Sequence, residues 1–318
     1  MDSKKDRGNS RNQMQKITEL SKWLQESETV SKDHRYYHLL LKGDPTSMVL
    51  ILPELRQIFY AAHEDARMRY KNLLGVPLDP LPMNGDRDNE IDNFLSNYPS
   101  KLEHTTLKGY FGEIFAGIVA EHYSPFGNNE WEVPVFLFRF HQLAFDQLEK
   151  WWETGQSPGV IPGRTGDDNL AFLRDGQGNI ISTMFCEAKC TDSHDSSLIV
   201  DAHLKISDKS LQPTELLRII EILEDSCDPE AKNWIYGLQN LYHNVKNSKY
   251  ERYDLVCYVC GQSPKQSNRQ TWISQDKPHL SYKANRKLEA VEIHLSDVDE
   301  LIQMVYEKRV ENDPELQR

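Results

Sequence analysis

Apolar residues recur at helical spacing in several stretches of the chain and form near-continuous runs in others. In Leu107–Tyr123, the residues Leu107, Phe111, Ile114, Phe115, Ile118 and Val119 make one helical stripe. Met14–Gln25, with Ile17, Leu20 and Leu24 in step and Trp23 on the flank, predicts a shorter helix. Tyr36–Leu41 is compatible with strand or helix and is broken by Pro45. Pro53 is suited to a helix start, and Leu55, Ile58, Phe59, Ala62 and Ala66 carry that helix toward Leu74, before Gly75 and Pro77 end it. Gln212-Pro213 opens another helix, and Asp228-Pro229 marks the cap and first turn of the next, through Trp234 and Leu238. Tyr253–Cys260 predicts a buried strand. Leu288–Leu295, with Glu292 among its alternating residues, predicts a strand at a sheet edge. Ser296, with Asp299 three residues on, predicts a capping box for a last helix over 296–310.

The densest chemistry lies in Gly163–Cys190. Asp175-Gly176-Gln177-Gly178-Asn179 supplies turn residues between two apolar runs, so Asn169–Arg174 and Ile180–Lys189 should pair as an antiparallel hairpin. Alternation puts Glu187 and Lys189 on one strand face with Ile181, Thr183 and Phe185. Ile180, Met184, Cys186, Ala188 and Cys190 take the other face. Both faces are apolar, which predicts a central strand covered on both sides. A carboxylate and an ammonium there are costly to bury unless paired or bound to a cation. The hairpin also folds Asp167 and Asp168 back toward Glu187. If Asp175 pairs with Asn179, Asp167 lies opposite Glu187, and a one-residue change puts Asp168 on that face instead. Such hard oxygen donors suit Mg²⁺ or Mn²⁺.

The order acid, hairpin, Glu-x-Lys resembles the PD-(D/E)xK nuclease superfamily, with Gly166-Asp167-Asp168 where the family name has Pro-Asp. The resemblance implies an α/β, restriction-endonuclease-like fold, in which a mixed central sheet is flanked by helices. It also implies Mg²⁺-dependent hydrolysis of phosphodiester bonds in DNA, with Asp168 and Glu187 on the metal and Lys189 at the nucleophilic water. The family commonly places a further Glu on a preceding helix; Glu113, between Gly109 and Gly117, is the matching residue and third candidate ligand. Among such nucleases the chain looks most like subunits of prokaryotic antiviral systems of the Hachiman type, which pair with a helicase or another ATPase. The rival expectation is a non-catalytic adaptor that binds a partner or DNA ends.

Composition and charge extend this picture. With 318 residues, 38% apolar and 27% charged, the chain suits a soluble globular protein. No apolar run approaches a membrane span, and no apolar segment follows Lys4, Lys5, Arg7 and Arg11, so a cytoplasmic location is expected. The net charge of −12 opposes an unaided approach to a polyanion, and residues 289–318 carry nine acidic against three basic residues, which points to a protein partner. Five cysteines suggest no disulfide framework, and Cys257 and Cys260 lie within a strand pattern, where packing rather than zinc is the expectation. Residues 1–13 are expected to form a polar arm. The Pro-, Gly- and Asp-rich stretch 79–92 is the expected linker, dividing a mainly helical region, 1–95, from a nuclease-like domain, 96–318. Secondary candidates for substrate contact are Arg139, His141, His194, His203, Lys205, Lys265, Arg269 and Lys277.

Overall fold

A computed structural model describes residues 20–27, 35–75, 95–138, 150, 154, 168–208, 213–226, 228–244, 250–265 and 269–307. The expected arm, the linker, Arg139, His141, Asp167 and the glycines at 163 and 166 lie outside the described residues.

Among the described residues, six strands form one mixed sheet in the order β1-β2-β6-β5-β4-β3. They are β1 (Leu24–Ser27), β2 (Tyr36–Gly43), β3 (Asn169–Arg174), β4 (Ile180–Thr191), β5 (Glu251–Cys260) and β6 (Leu288–His294). The inner pairs β2–β6, β6–β5 and β5–β4 are parallel, while β1 and β3 close the two sides as antiparallel strands. A boundary at residue 95 therefore divides the sequence without dividing the sheet.

Helices cover both faces. The first face packs against α1 (Leu20–Trp23), α2 (Met48–Gly75), α3 (His104–His122) and α7 (Val298–Tyr306). The second packs against α4 (Ser196–Asp208), α5 (Leu216–Glu224) and α6 (Ala231–Asn244). Alternation along β4 divides its side chains as the sequence implies: Met184, Cys186, Ala188 and Cys190 join the first core, and Phe185 the second. Cys257 and Cys260 are three residues apart in a strand, so they enter opposite cores and do not face a common ion.

Several local expectations are corrected. The first helix stops at Trp23, and Leu24 enters β1, because pairing with Leu40–Gly43 overrides the short helical pattern. Pro53 lies inside α2 rather than at its start. Asp44 instead receives the Thr46 N–H at 3.0 Å and starts a 3₁₀ turn, Pro45–Ser47, that leads into Met48. α7 begins after Asp297, which has φ 52° and makes no side-chain cap; Asp299 is drawn instead to Lys108 and His104.

β6 is interior, not an edge. Its acids, Glu289 and Glu292, are buried and hydrogen-bonded. Glu289 accepts the Phe126 N–H at 2.6 Å. Glu292 accepts the N–H groups of Trp272 and Ile273 at 2.8 and 2.6 Å and contacts His38 and His294. These bonds hold the Glu292 carboxyl at about 2 even though burial opposes its ionisation.

Other acids carry the reverse shift, which sets a pH dependence. Burial pushes Glu289 up to about 7 and Glu121 up to about 8, from ordinary values of 4.5. Burial also pushes His63 down to about 3 and His203 to about 4. Unfolded histidines titrate near 6.5, so these two act in the opposite sense up to about pH 7.5, and do so equally in any variant that changes only the carboxyls. A carboxyl whose folded pKa is raised binds more proton folded than unfolded, and its contribution is lost as pH rises toward the folded value. Between about pH 5 and 8 these two carboxyls should therefore pull the melting temperature down as pH rises. That downward pull should weaken in a Glu121→Gln/Glu289→Gln variant; an equal slope in that variant would refute the assignment.

Candidate active site at the open end of the hairpin

The hairpin turn closes as its sequence requires: the Asp175 N–H donates to the Asn179 carbonyl at 2.9 Å. Gly178 there has φ 86°, a conformation that favours glycine. Arg174 then pairs with Ile180 but Leu173 pairs with Ser182, leaving Ile181 as an extra, exposed residue. The bulge also turns Ile180 into the second core, the face first assigned to Ile181. It changes the register by one residue. Asn169 consequently stands opposite Cys186, and the next rung brings Asp168 beside Glu187. Asp168 Oδ2 accepts the Ala188 N–H at 2.9 Å, anchoring the acid to the strand that carries Glu187.

Glu187 is wholly buried, and Lys189 Nζ lies 3.0 Å from its Oε1. Lys189 also pairs with Asp201 Oδ2 at 2.8 Å, on α4. Lys205, one helical turn beyond Asp201, pairs with the same oxygen at 2.9 Å and stands 3.9 Å from Glu187 Oε1. Burial acts to lower the Lys189 pKa, but Glu187 and Asp201 outweigh it and hold the ammonium above its ordinary value. Burial holds Lys205 below its ordinary value, with the like charge of Lys189 adding to the effect against Asp201. Lys189 is thus a fixed cation suited to electrostatic work, not a proton acceptor.

Glu113 is buried on α3, whose cores are those of the first face, whereas Glu187 and Lys189 project from the second. The glycine that lets this helix approach β4 is Gly112, where a Cβ would lie 3.2 Å from Cys190 Cβ and 3.7 Å from Ala188 Cβ. Gly109 meets nothing within 4 Å, and Gly117 faces Phe136 and Asn169. At 100° per residue, Gly112 and Gly117 bracket Glu113, which places it on the sheet-facing arc. Its charge also reaches Tyr98, Tyr110 and Tyr306, adding to the burial that holds their hydroxyls above the usual range.

The secondary candidates separate by their partners. His203 Nδ1 bonds the Ile199 carbonyl at 2.7 Å, and its buried ring is kept neutral, a structural role. His194 stacks on Trp272 with centroids 3.7 Å apart and meets the Tyr258 hydroxyl at 3.1 Å. Tyr258 is the β5 neighbour of Lys189, so this pair borders the charged centre. Arg269 donates to the Thr271 and Trp272 carbonyls and pins its own loop.

Asp168 and Glu187 are adjacent hard oxygen donors, which fits a cation that takes one or two protein carboxylates and fills its remaining positions with water and phosphate. Among the described residues, no three His, Cys, Asp or Glu groups stand together as a metal cage. Asp201 was not apparent from sequence; its signal was the Asp201/Lys205 pair at helical spacing directly after the Glu-x-Lys strand.

These features define an α/β protein with a six-stranded mixed sheet and a buried acid–acid–lysine centre at the end of its β3–β4 hairpin. No known family pattern matches the chain, and no match is found among curated proteins. No described helix is long and apolar enough to cross a membrane.

Proposed function

We propose that the chain is a metal-dependent deoxyribonuclease with a restriction-endonuclease-like fold of the PD-(D/E)xK type. The observation that carries this reading is the meeting of Asp168, Glu187 and Lys189 on one hairpin, with Lys189 held 3.0 Å from Glu187. Asp168 and Glu187 would hold Mg²⁺ or Mn²⁺, while Glu113, on a helix of the first face, stands apart from that pair. When bound, the ion neutralises charge on the scissile phosphate and lowers the pKa of a nearby water. Asp168, tied to the Ala188 N–H, keeps its carboxylate in place against the repulsion of Glu187. Lys189 stays protonated and faces the phosphate as a fixed positive charge, stabilising charge that grows in the transition state.

The net charge of −12 supports a role as the effector subunit of a complex, with a helicase or other ATPase supplying DNA affinity, as in prokaryotic anti-phage defence. A second reading, a non-catalytic adaptor for such a partner or for DNA ends, draws on one observation: Lys189 is already tied to two carboxylates. Metal dependence separates the two. Plasmid and linear DNA should be cut by the native complex with Mg²⁺ and left intact with a chelator, and the isolated chain should bind duplex weakly at moderate salt. Cleavage that persists in chelator, or its absence under every divalent ion, defeats the nuclease reading; tight duplex binding by the chain alone defeats the partner reading.

A further inference from the structure

The helix that follows the Glu187 strand carries charged groups into the same centre, and nothing in the Glu-x-Lys pattern requires them. Asp201 and Lys205 are one helical turn apart on α4 and meet at a shared contact, the Asp201 Oδ2 atom, 2.9 Å from Lys205 Nζ. The same atom lies 2.8 Å from Lys189 Nζ, so one carboxylate oxygen bridges two ammonium groups that both face Glu187. Exposure distinguishes their roles. The Lys189 side chain is 13% exposed, while those of Lys205 and Asp201 are 39% and 44% exposed. Lys189 is therefore inside the centre and Lys205 at its mouth, where a phosphate arriving from solvent meets it first.

The α4 helix is firmly seated. At its C-terminal end the Ile206 carbonyl accepts from Arg252 and Arg286, both of which also bond the buried Asp254 carboxylate. Ile199, Ala202 and Ile206 enter the second core. A carboxylate on such a helix is held at a fixed height above β4, as a group that orients another side chain needs to be. A lysine stem has four rotatable bonds, and Glu187 alone fixes its tip from one side only; Asp201 adds the second direction.

We infer that Asp201 is a positioning residue for Lys189 and that Lys205 binds a phosphate of a nucleic-acid backbone at the mouth of the same centre. This rests on the nuclease reading for the role of Lys189, but not for the phosphate contact of Lys205. In the resting protein Lys205 is paired with Asp201. A phosphate at the mouth competes for Lys205, and Asp201 keeps its bond to Lys189.

Three variants of the full chain test this, with two readouts. Cleavage of linear DNA in Mg²⁺ by the native complex gives kcat and KM. Anisotropy of a short fluorescein-labelled duplex, with the chain alone at low salt and no divalent ion, gives affinity without chemistry. Asp201→Asn should lower kcat by about tenfold or more with KM within about twofold, as expected for a displaced catalytic group. Asp201→Glu should recover most of that loss, which a merely structural role would not produce. Lys205→Met should weaken duplex binding severalfold and reduce its salt dependence, because one fewer counterion is released. Wild-type kcat in Asp201→Asn overturns the positioning role, and unchanged duplex affinity in Lys205→Met overturns the phosphate contact. If the wild-type complex cuts nothing, the nuclease reading and the positioning role fail together, whereas a duplex affinity that still falls in Lys205→Met leaves the phosphate contact standing.

Discussion

Glu187→Gln should abolish cleavage, by on the order of a thousandfold or more, while leaving the fold intact. Glu187 is wholly buried, so truncation to alanine would open a cavity beside Lys189 and confuse loss of chemistry with loss of packing. Glutamine keeps the volume and removes the charge. The remaining Lys189–Asp201 pair still neutralises the ammonium, which is why stability should survive. Lys189→Met should act with similar severity, since it removes the cation that faces the phosphate. Asp168→Asn should also abolish cleavage, and Asp167→Asn should be milder, because the bulged register brings Asp168 beside Glu187. Supercoiled plasmid and linear duplex report the activity, and circular dichroism melts report the fold. Normal cutting by Glu187→Gln would sink the mechanism.

Asp254→Ala should cost about 3–5 kcal/mol of stability, the typical loss when one partner of a buried ion pair is removed. Asp254 is fully buried and accepts from Arg252 Nε at 2.8 Å, Arg286 Nε at 2.9 Å and the Tyr282 hydroxyl at 2.7 Å. Arg252 is equally buried, with its guanidinium 3.8 Å from the centre of the Phe185 ring, so it has no route to water when its acceptor is lost. Arg286→Ala should cost less, because that side chain is partly exposed and removing it leaves Asp254 with Arg252. Urea unfolding of both variants checks the order. A loss below about 1 kcal/mol for Asp254→Ala would show that the arginines find other acceptors.

The sequence carried the hairpin because its signals are local: turn residues at 175–179 and two flanking apolar runs are sufficient to pair the strands. Glu187 and Lys189 followed from simple alternation. Their aspartate did not, because one bulged residue at Ile181 decides it and nothing in the residue types there demands a bulge. Asp201 stayed hidden for another reason: its spacing to Lys205 marks a helix face, but it reaches Lys189 through helix-on-sheet packing, which that spacing does not encode. The interior position of β6 is not legible in the sequence because a buried, hydrogen-bonded glutamate and a solvated one look alike there. Glu292 is separated from its His38 contact by 254 residues.

The placement of β6 between β2 and β5 also governs when a newly made chain acquires its centre. The hairpin bearing Asp168, Glu187 and Lys189 emerges from the ribosome long before residues 288–294, yet β2, made earlier still, finds its parallel partner in that later strand. Until synthesis reaches it, β5 lacks one neighbour, the β1–β2 pair has no sheet to join, and the first-face core lacks Val291 and Ile293. Such distant pairings are slow and come late in folding. A nascent chain stalled before residue 288 would thus carry every acid and lysine of the centre without the platform that aligns them, and the cell would not meet the assembled centre until β6 has been made.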